Sequence, residues 1–167
     1  MTMQYDVLAA HTNVTGQMVG YRTRVKGLSV TGSGSAGYFY LWDSLTGTNA
    51  ATYARDSAGL ITVTQSAHGL TTGQEVGLVF GAGTGGQATT GNYLVTVLTS
   101  STYTVQDINA GAITAGAAAL QNTRWLLSVD MGANQSVGFP VPGEGVLAKN
   151  GVYATVSNLS GLTVFYG

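Results

Sequence analysis

Apolar and polar residues alternate along much of the chain in short runs bounded by Gly, Asn and Ser. Such period-two runs, each about a strand long, predict β-strands. "YRTRVKGLSV" from Tyr21 sets Val25, Gly27 and Ser29 against Lys26, Leu28 and Val30, and "GYFYLWD" from Gly37 is rich in aromatic rings. "GLITVTQ" from Gly59, "QEVGLVF" from Gln74, "NYLVTVLT" from Asn92 and "STYTVQD" from Ser101 make a middle group. "RWLLSVD" from Arg124, "SVGFPV" from Ser136, "EGVLAK" from Glu144, "GVYATVS" from Gly151 and "LTVFYG" from Leu162 make a third. Only "AGAITAGAAALQ" has the Ala and Leu content of a helix. Gly111 and Gly116 interrupt it, so a loop or strand is expected there.

The turns order these runs. "KNG" at Lys149–Gly151 lies between two apolar runs, and Asn-Gly tolerates the positive φ of a tight hairpin. "SNLSG" at Ser157–Gly161 is expected to close the next hairpin, so the last three runs should form a meander. Neither outer group closes a sandwich alone, but together they supply the roughly seven or eight strands that one needs. Small-residue stretches, "NAATYARDSAG" and "NAGAITAGAAALQN", flank the middle group. The expected fold is all-β: a discontinuous, jelly-roll-like β-sandwich of residues 1–54 and 121–167, with a small β-barrel of residues 55–120 inserted. A single continuous sandwich with long hairpins is the alternative.

Composition sharpens this picture. Only 8% of residues are charged, against a usual value of about 25%. An exposed surface built from Ser, Thr, Asn, Gln, Gly and Ala suits permanent contact with neighbouring subunits, where charge is costly to desolvate. A monomer with a merely polar surface is the plainer alternative. Six Lys and Arg residues at a net charge of −1 cannot furnish a phosphate-binding stripe, so nucleic-acid binding is not expected. No polybasic amphipathic segment or long apolar run points to a membrane. Cysteine is absent, which excludes disulfides, thiolate zinc sites and cysteine nucleophiles and fits assembly in a reducing cytoplasm. "MTMQYDVLAAHTNVTGQM" lacks the basic and apolar regions of a signal peptide, and the sequons at Asn13, Asn134 and Asn158 are read as chance matches.

Candidate chemistry is sparse. Gly81–Gly86 satisfies a G-x-G-x-x-G spacing, but β-patterned sequence follows where a dinucleotide site needs a helix, so a mobile glycine-rich loop is expected. His68 precedes a turn with no orienting partner or nucleophile in sight. It is read as a structural histidine fixing that turn together with Gly69 and Gly73. His11 is expected to be exposed or at an interface. The carboxylates Asp6, Asp43, Asp56, Glu75, Asp107, Asp130 and Glu144 are scattered singly. No catalytic, cofactor-binding or metal site is expected. Arg22, Arg24 and Lys26 alternate on one strand and either contact an acidic neighbour or form a solvated face that protects an edge. The rings of Tyr38, Phe39, Tyr40, Trp42, Phe165 and Tyr166 are expected in the core. An exposed Trp42 would instead offer an interface or a sugar-binding platform.

The stretch "ITVTQSAHGLTTGQEVGLVFGAGTGGQATTGNYLVTVLTSSTYTVQD" resembles a small β-barrel module of phage virion proteins, similar to a half-domain of ubiquitin-activating enzymes. The resemblance rests on His68-Gly69-Leu70, Gly73 with Val76, Gly91 with Tyr93 and Val95, and Thr102–Val105. In that module the His-Gly-Leu is architectural and no catalytic residue carries over. The flanks, "YRTRVKGLSVTGSGSAGYFYLWDS" and "PGEGVLAKNGVYATVSNLSGLTVFYG", look like small virion proteins of short-tailed marine bacteriophages. The resemblance implies a non-enzymatic virion component assembled in the bacterial cytoplasm, either a capsid decoration (knob or cement) protein or a tail or tail-fibre component. Its partners would be the major capsid protein or tail proteins and further copies of itself, with a trimer expected from symmetry. Residues 1–18 would be an arm ordered by a neighbour. A carbohydrate-binding host-attachment module is the alternative of a different class.

Overall fold

The computed structural model describes residues 7–167. The strands are β1 (Leu8–Thr12), β2 (Gly16–Val19), β3 (Thr23–Gly32), β4 (Gly37–Asp43), β5 (Asn49–Arg55), β6 (Leu60–Thr64), β7 (Glu75–Phe80) and β8 (Gly91–Leu94). They continue with β9 (Thr96–Thr99), β10 (Thr102–Gln106), β11 (Ile113–Asn122), β12 (Trp125–Met131), β13 (Ser136–Pro140), β14 (Val146–Ala148), β15 (Val152–Ser157) and β16 (Leu159–Tyr166). Among the described residues there is no helix, and the fold is an all-β sandwich with a barrel. The chain divides into two compact units, Met1–Gly47 with Leu126–Gly167, and Thr48–Trp125.

The discontinuous unit is the sandwich. One sheet runs β1-β16-β3-β13, with β14 also on β3, and the other runs β12-β4-β15-β2. Both sheets contribute to one apolar cluster: Val25, Leu28, Val30, Leu162 and Val164 from the first, Phe39, Leu41, Val152 and Ala154 from the second. Burying each of these larger side chains contributes about 1.5–3 kcal/mol. The chain therefore passes between sheets at the turns where a meander was expected. β14 and β16 belong to one sheet and β15 to the other, so neither "KNG" nor "SNLSG" closes a hairpin. Of the Asn-Gly pair only Gly151 takes positive φ, at 144°, and in the second turn Asn158 has φ 51°. The buried Asp43 carboxylate also accepts the Asn150 amide at 2.6 Å. Turn residues reverse the chain but do not choose its next partner. That choice falls to core burial, which sends Val152 and Ala154 onto β4.

Residues 7–18 do not wait for a neighbour. β1 pairs along β16 from Leu8↔Tyr166 to Thr12↔Leu162, and β2 pairs with β15. The first six residues of the expected arm lie outside the described residues.

In the other unit a seven-stranded sheet runs β8-β7-β11-β5-β6-β10-β9. Its first and last strands are consecutive in the chain, joined through Val95 alone, so the sheet curls back on itself as a barrel. Val95 is buried at this corner, where its N–H donates to Gln74 O and its carbonyl accepts Gly73 N. "NYLVTVLT" is thus two strands rather than one. Tyr53, Ile61, Val63, Leu78, Phe80 and Tyr103 fill the interior. The Ala-rich stretch is strand β11, held between β5 and β7 with a bulge between Ile113 and Ala117. Two-sided pairing overrides the helix propensity of alanine there.

The Gly81–Gly86 segment is a tight turn rather than a loose loop. Gly83 and Gly86 exchange both backbone hydrogen bonds, at 2.8 and 3.1 Å, and Thr114 N donates to Thr84 O. A Cβ on Gly85 would run into the Ala112 carbonyl, so the turn needs glycine to pack this closely.

Candidate functional site

The outer face of the five-stranded sheet carries few charged side chains. Cross-strand partners align Ala9, Phe165, Gly27 and Pro140 in one row, and His11, Thr163, Ser29 and Gly138 in the next. Alternation places these side chains opposite Leu28, Val30, Leu162 and Val164, which face the core. Phe165 is 37% exposed and leans toward Gly27, where the missing side chain leaves room. The result is a shallow groove of 440 Å³ bordered by Phe165, Gly138, Pro140 and Lys26. His11 is exposed, and its Nδ1 lies 2.9 Å from Thr163 Oγ1. The edges of this sheet are β1 and β13, whose only titratable side chain is His11. Charged side chains ordinarily blunt such edges, and these two strands carry none of Lys, Arg, Asp or Glu.

The expected row of cations is broken. β3 carries an extra residue at Lys26, because Phe165 pairs with Gly27 and Tyr166 with Val25. This bulge puts both Val25 and Leu28 in the core, which strict alternation cannot do. It also parts Lys26 from Arg22 and Arg24, which line a different pocket.

Trp42 does not reach the surface, contrary to its reading as an interface residue. It is fully buried, on the strand face opposite Phe39 and Leu41, with its Nε1–H donated to Thr155 Oγ1 at 3.1 Å. It offers no ring to an interface or a sugar. The half-exposed rings beside it are Tyr38 and Tyr40, stacked at 4.7 Å. Burial, with added repulsion from Tyr38 and Asp130, pushes the Tyr40 hydroxyl up to about 12.

In the barrel, His68 is half-buried and uses both ring nitrogens. Nδ1 accepts the Leu70 N–H at 3.0 Å, and Nε2 lies 2.9 Å from the Thr99 carbonyl, to which it can only donate. The ring meets Tyr103 edge-on at 5.1 Å. Gly69 and Gly73 have φ of 64° and 87°, and neither has an atom near its absent Cβ, so backbone conformation rather than space requires glycine. His68→Ala should lower barrel stability by about 1–3 kcal/mol, read from its denaturation midpoint, because two polar groups lose their partner.

Local spacing gave no sign of the barrel's buried ion pair. Arg55 Nη1 and Asp107 Oδ2 are 2.5 Å apart, with side chains 6% and 0% exposed. Arg55 also donates to the Gly111 and Ala110 carbonyls, while Asp107 accepts the Thr89 and Asn109 amides. Each of the three guanidinium nitrogens thus has an acceptor, so the pair braces the barrel from within. Among the described residues no group of three or more His, Asp or Glu side chains could hold a metal ion.

Comparison with protein-family models, with curated proteins and with solved structures gives no match. The functional reading therefore rests on the chain's own surface chemistry and on the resemblances described above.

Proposed function

We propose that the chain is a non-enzymatic structural protein of a bacteriophage virion, set on the capsid exterior as a decoration protein that bridges subunits. The observation that carries this reading is the surface itself. A chain with 8% charged residues exposes Val7, Leu8, Val14, Val137 and Phe165 on the sandwich unit, and Leu94, Leu98 and Ile108 on the barrel unit. Ile108 is 88% exposed and Leu94 68%, beside a groove of 460 Å³. Apolar side chains with almost no charge among them suit burial against neighbours, where each charge would carry a desolvation cost. Assignment to a phage comes from the likeness of "HGLTTGQEV" and of the two flanks to virion proteins. Many copies, each making modest contacts and closed by symmetry as a trimer, would hold firmly through avidity.

The test is mass spectrometry of heads and tails separated from purified particles of the encoding phage. The protein is expected in the heads, in many copies. Recovery only from tails would replace the decoration role by a tail role, and absence from both would end the virion reading.

A further inference from the structure

Half of the chain's six cationic side chains, Arg22, Arg24 and Lys26, lie within five residues of one another. The remaining three are placed differently: Arg55 is buried on Asp107, Arg124 is 3.8 Å from Glu75, and Lys149 belongs to the Lys149–Gly151 turn. Arg22 and Arg24 share a pocket of 390 Å³ with Tyr21, Tyr166, Leu8 and Leu147. Its aromatic wall is preformed, since the Tyr21 and Tyr166 rings meet edge to face at 6.2 Å. Arg24 is steered into place by the Gly145 carbonyl at 3.3 Å. Its ion-pair partner among the described residues, Glu144, is 3.9 Å away with a side chain 84% exposed, so that pair is loose and solvated. Arg22 is exposed and has no hydrogen-bond or ion-pair partner among the described residues.

We propose that this pocket binds a carboxylate side chain of a partner polypeptide, with an apolar neighbour of that carboxylate resting on the Tyr21, Leu8 and Leu147 wall. Guanidinium groups present paired N–H donors that match a carboxylate in the plane. Two of them beside phenol rings and leucines form a mixed site, cationic on one side and greasy on the other. A nucleic acid is a poorer match, because its backbone needs a long basic track and only these few cations are available. A free phosphate would leave the apolar wall unused. The inference does not depend on the virion assignment, since it asks only for an acidic polypeptide, and its test contains no phage component.

The experiment is an NMR titration of the full chain with two blocked dipeptides, acetyl-Leu-Glu-amide and acetyl-Leu-Gln-amide, with inorganic phosphate and an oligothymidylate as further probes. The Glu peptide should shift resonances of Tyr21, Arg22, Arg24 and Tyr166 saturably and bind about tenfold more tightly than the Gln peptide. Added salt should weaken it. Arg22→Gln, an exposed change that leaves the fold intact, should weaken the Glu peptide by about tenfold, and Arg22→Lys should recover part of the loss. Equal binding of the two dipeptides, shifts elsewhere, no shift at tens of millimolar, or tighter binding of phosphate or the oligonucleotide at this pocket would each overturn the proposal.

Discussion

Asp107→Ala should lower the stability of the barrel by about 3–5 kcal/mol, because it strands the Arg55 charge in a site where its side chain is only 6% exposed. Restoring the charge balance should restore much of the loss. The double variant Arg55→Met, Asp107→Leu should be more stable than Asp107→Ala alone, since a buried pair often does no better than packed apolar residues of similar volume. The pair also sets an acid limit. Burial pushes the Asp107 carboxyl up, but hydrogen bonds from the Thr89 and Arg55 side chains and from the Asn109 and Thr89 amides outweigh it and hold the group below its ordinary value. A carboxyl depressed by folding binds fewer protons in the native state. Its contribution is complete above the ordinary carboxyl value of about 3.9 and is lost as pH falls through the folded value. Chemical denaturation of the barrel across acidic pH should therefore show stability falling with pH. In the Asp107→Asn variant that part of the fall should be missing.

Trp42→Ala should lower the stability of the sandwich by about 3–5 kcal/mol, the range for emptying a buried Trp site. Trp42 has no exposed surface, and the substitution also leaves Thr155 Oγ1 without its indole donor. Trp42→Phe should cost less, since the ring volume is mostly kept and only the hydrogen bond is lost. Calorimetric unfolding should show the fall in the sandwich transition, while the fluorescence of Trp125, the tryptophan that remains in Trp42→Ala, reports the barrel unit. A surface role for Trp42 would give the opposite result: an unchanged midpoint.

Strands rich in aromatic or β-branched residues and bounded by turn residues were readable from the chain alone. "GYFYLWD" coincides with β4, and "QEVGLVF" and "STYTVQD" contain β7 and β10. The hidden strands have other reasons. β1 and β2 are largely exposed and partly polar, so their sequence carries no burial signal, and their place is fixed by pairing with β16 and β15. β11 is alanine-rich, and pairing with β5, joined by β7 from Ala119 to Asn122, places it as a strand where composition does not. The candidate surface was legible as chemistry but not as geometry. Low charge pointed to contact with neighbours, yet the bulge at Lys26 splits a row that reads as continuous, and Trp42 alternates onto a face that is nonetheless covered. Arg55 and Asp107 are 52 residues apart, and only barrel closure brings them together.

On the proposed reading, the uncharged sheet and barrel surfaces are buried in an assembly. A density map of the intact particle at side-chain resolution tests it most directly. Phe165, Ser29 and Thr163 of the outer sheet face, or Leu94 and Ile108 of the barrel, should lie against neighbouring subunits on the capsid exterior. A particle map that accounts for every subunit without this chain, or one in which both surfaces face solvent, would contradict it.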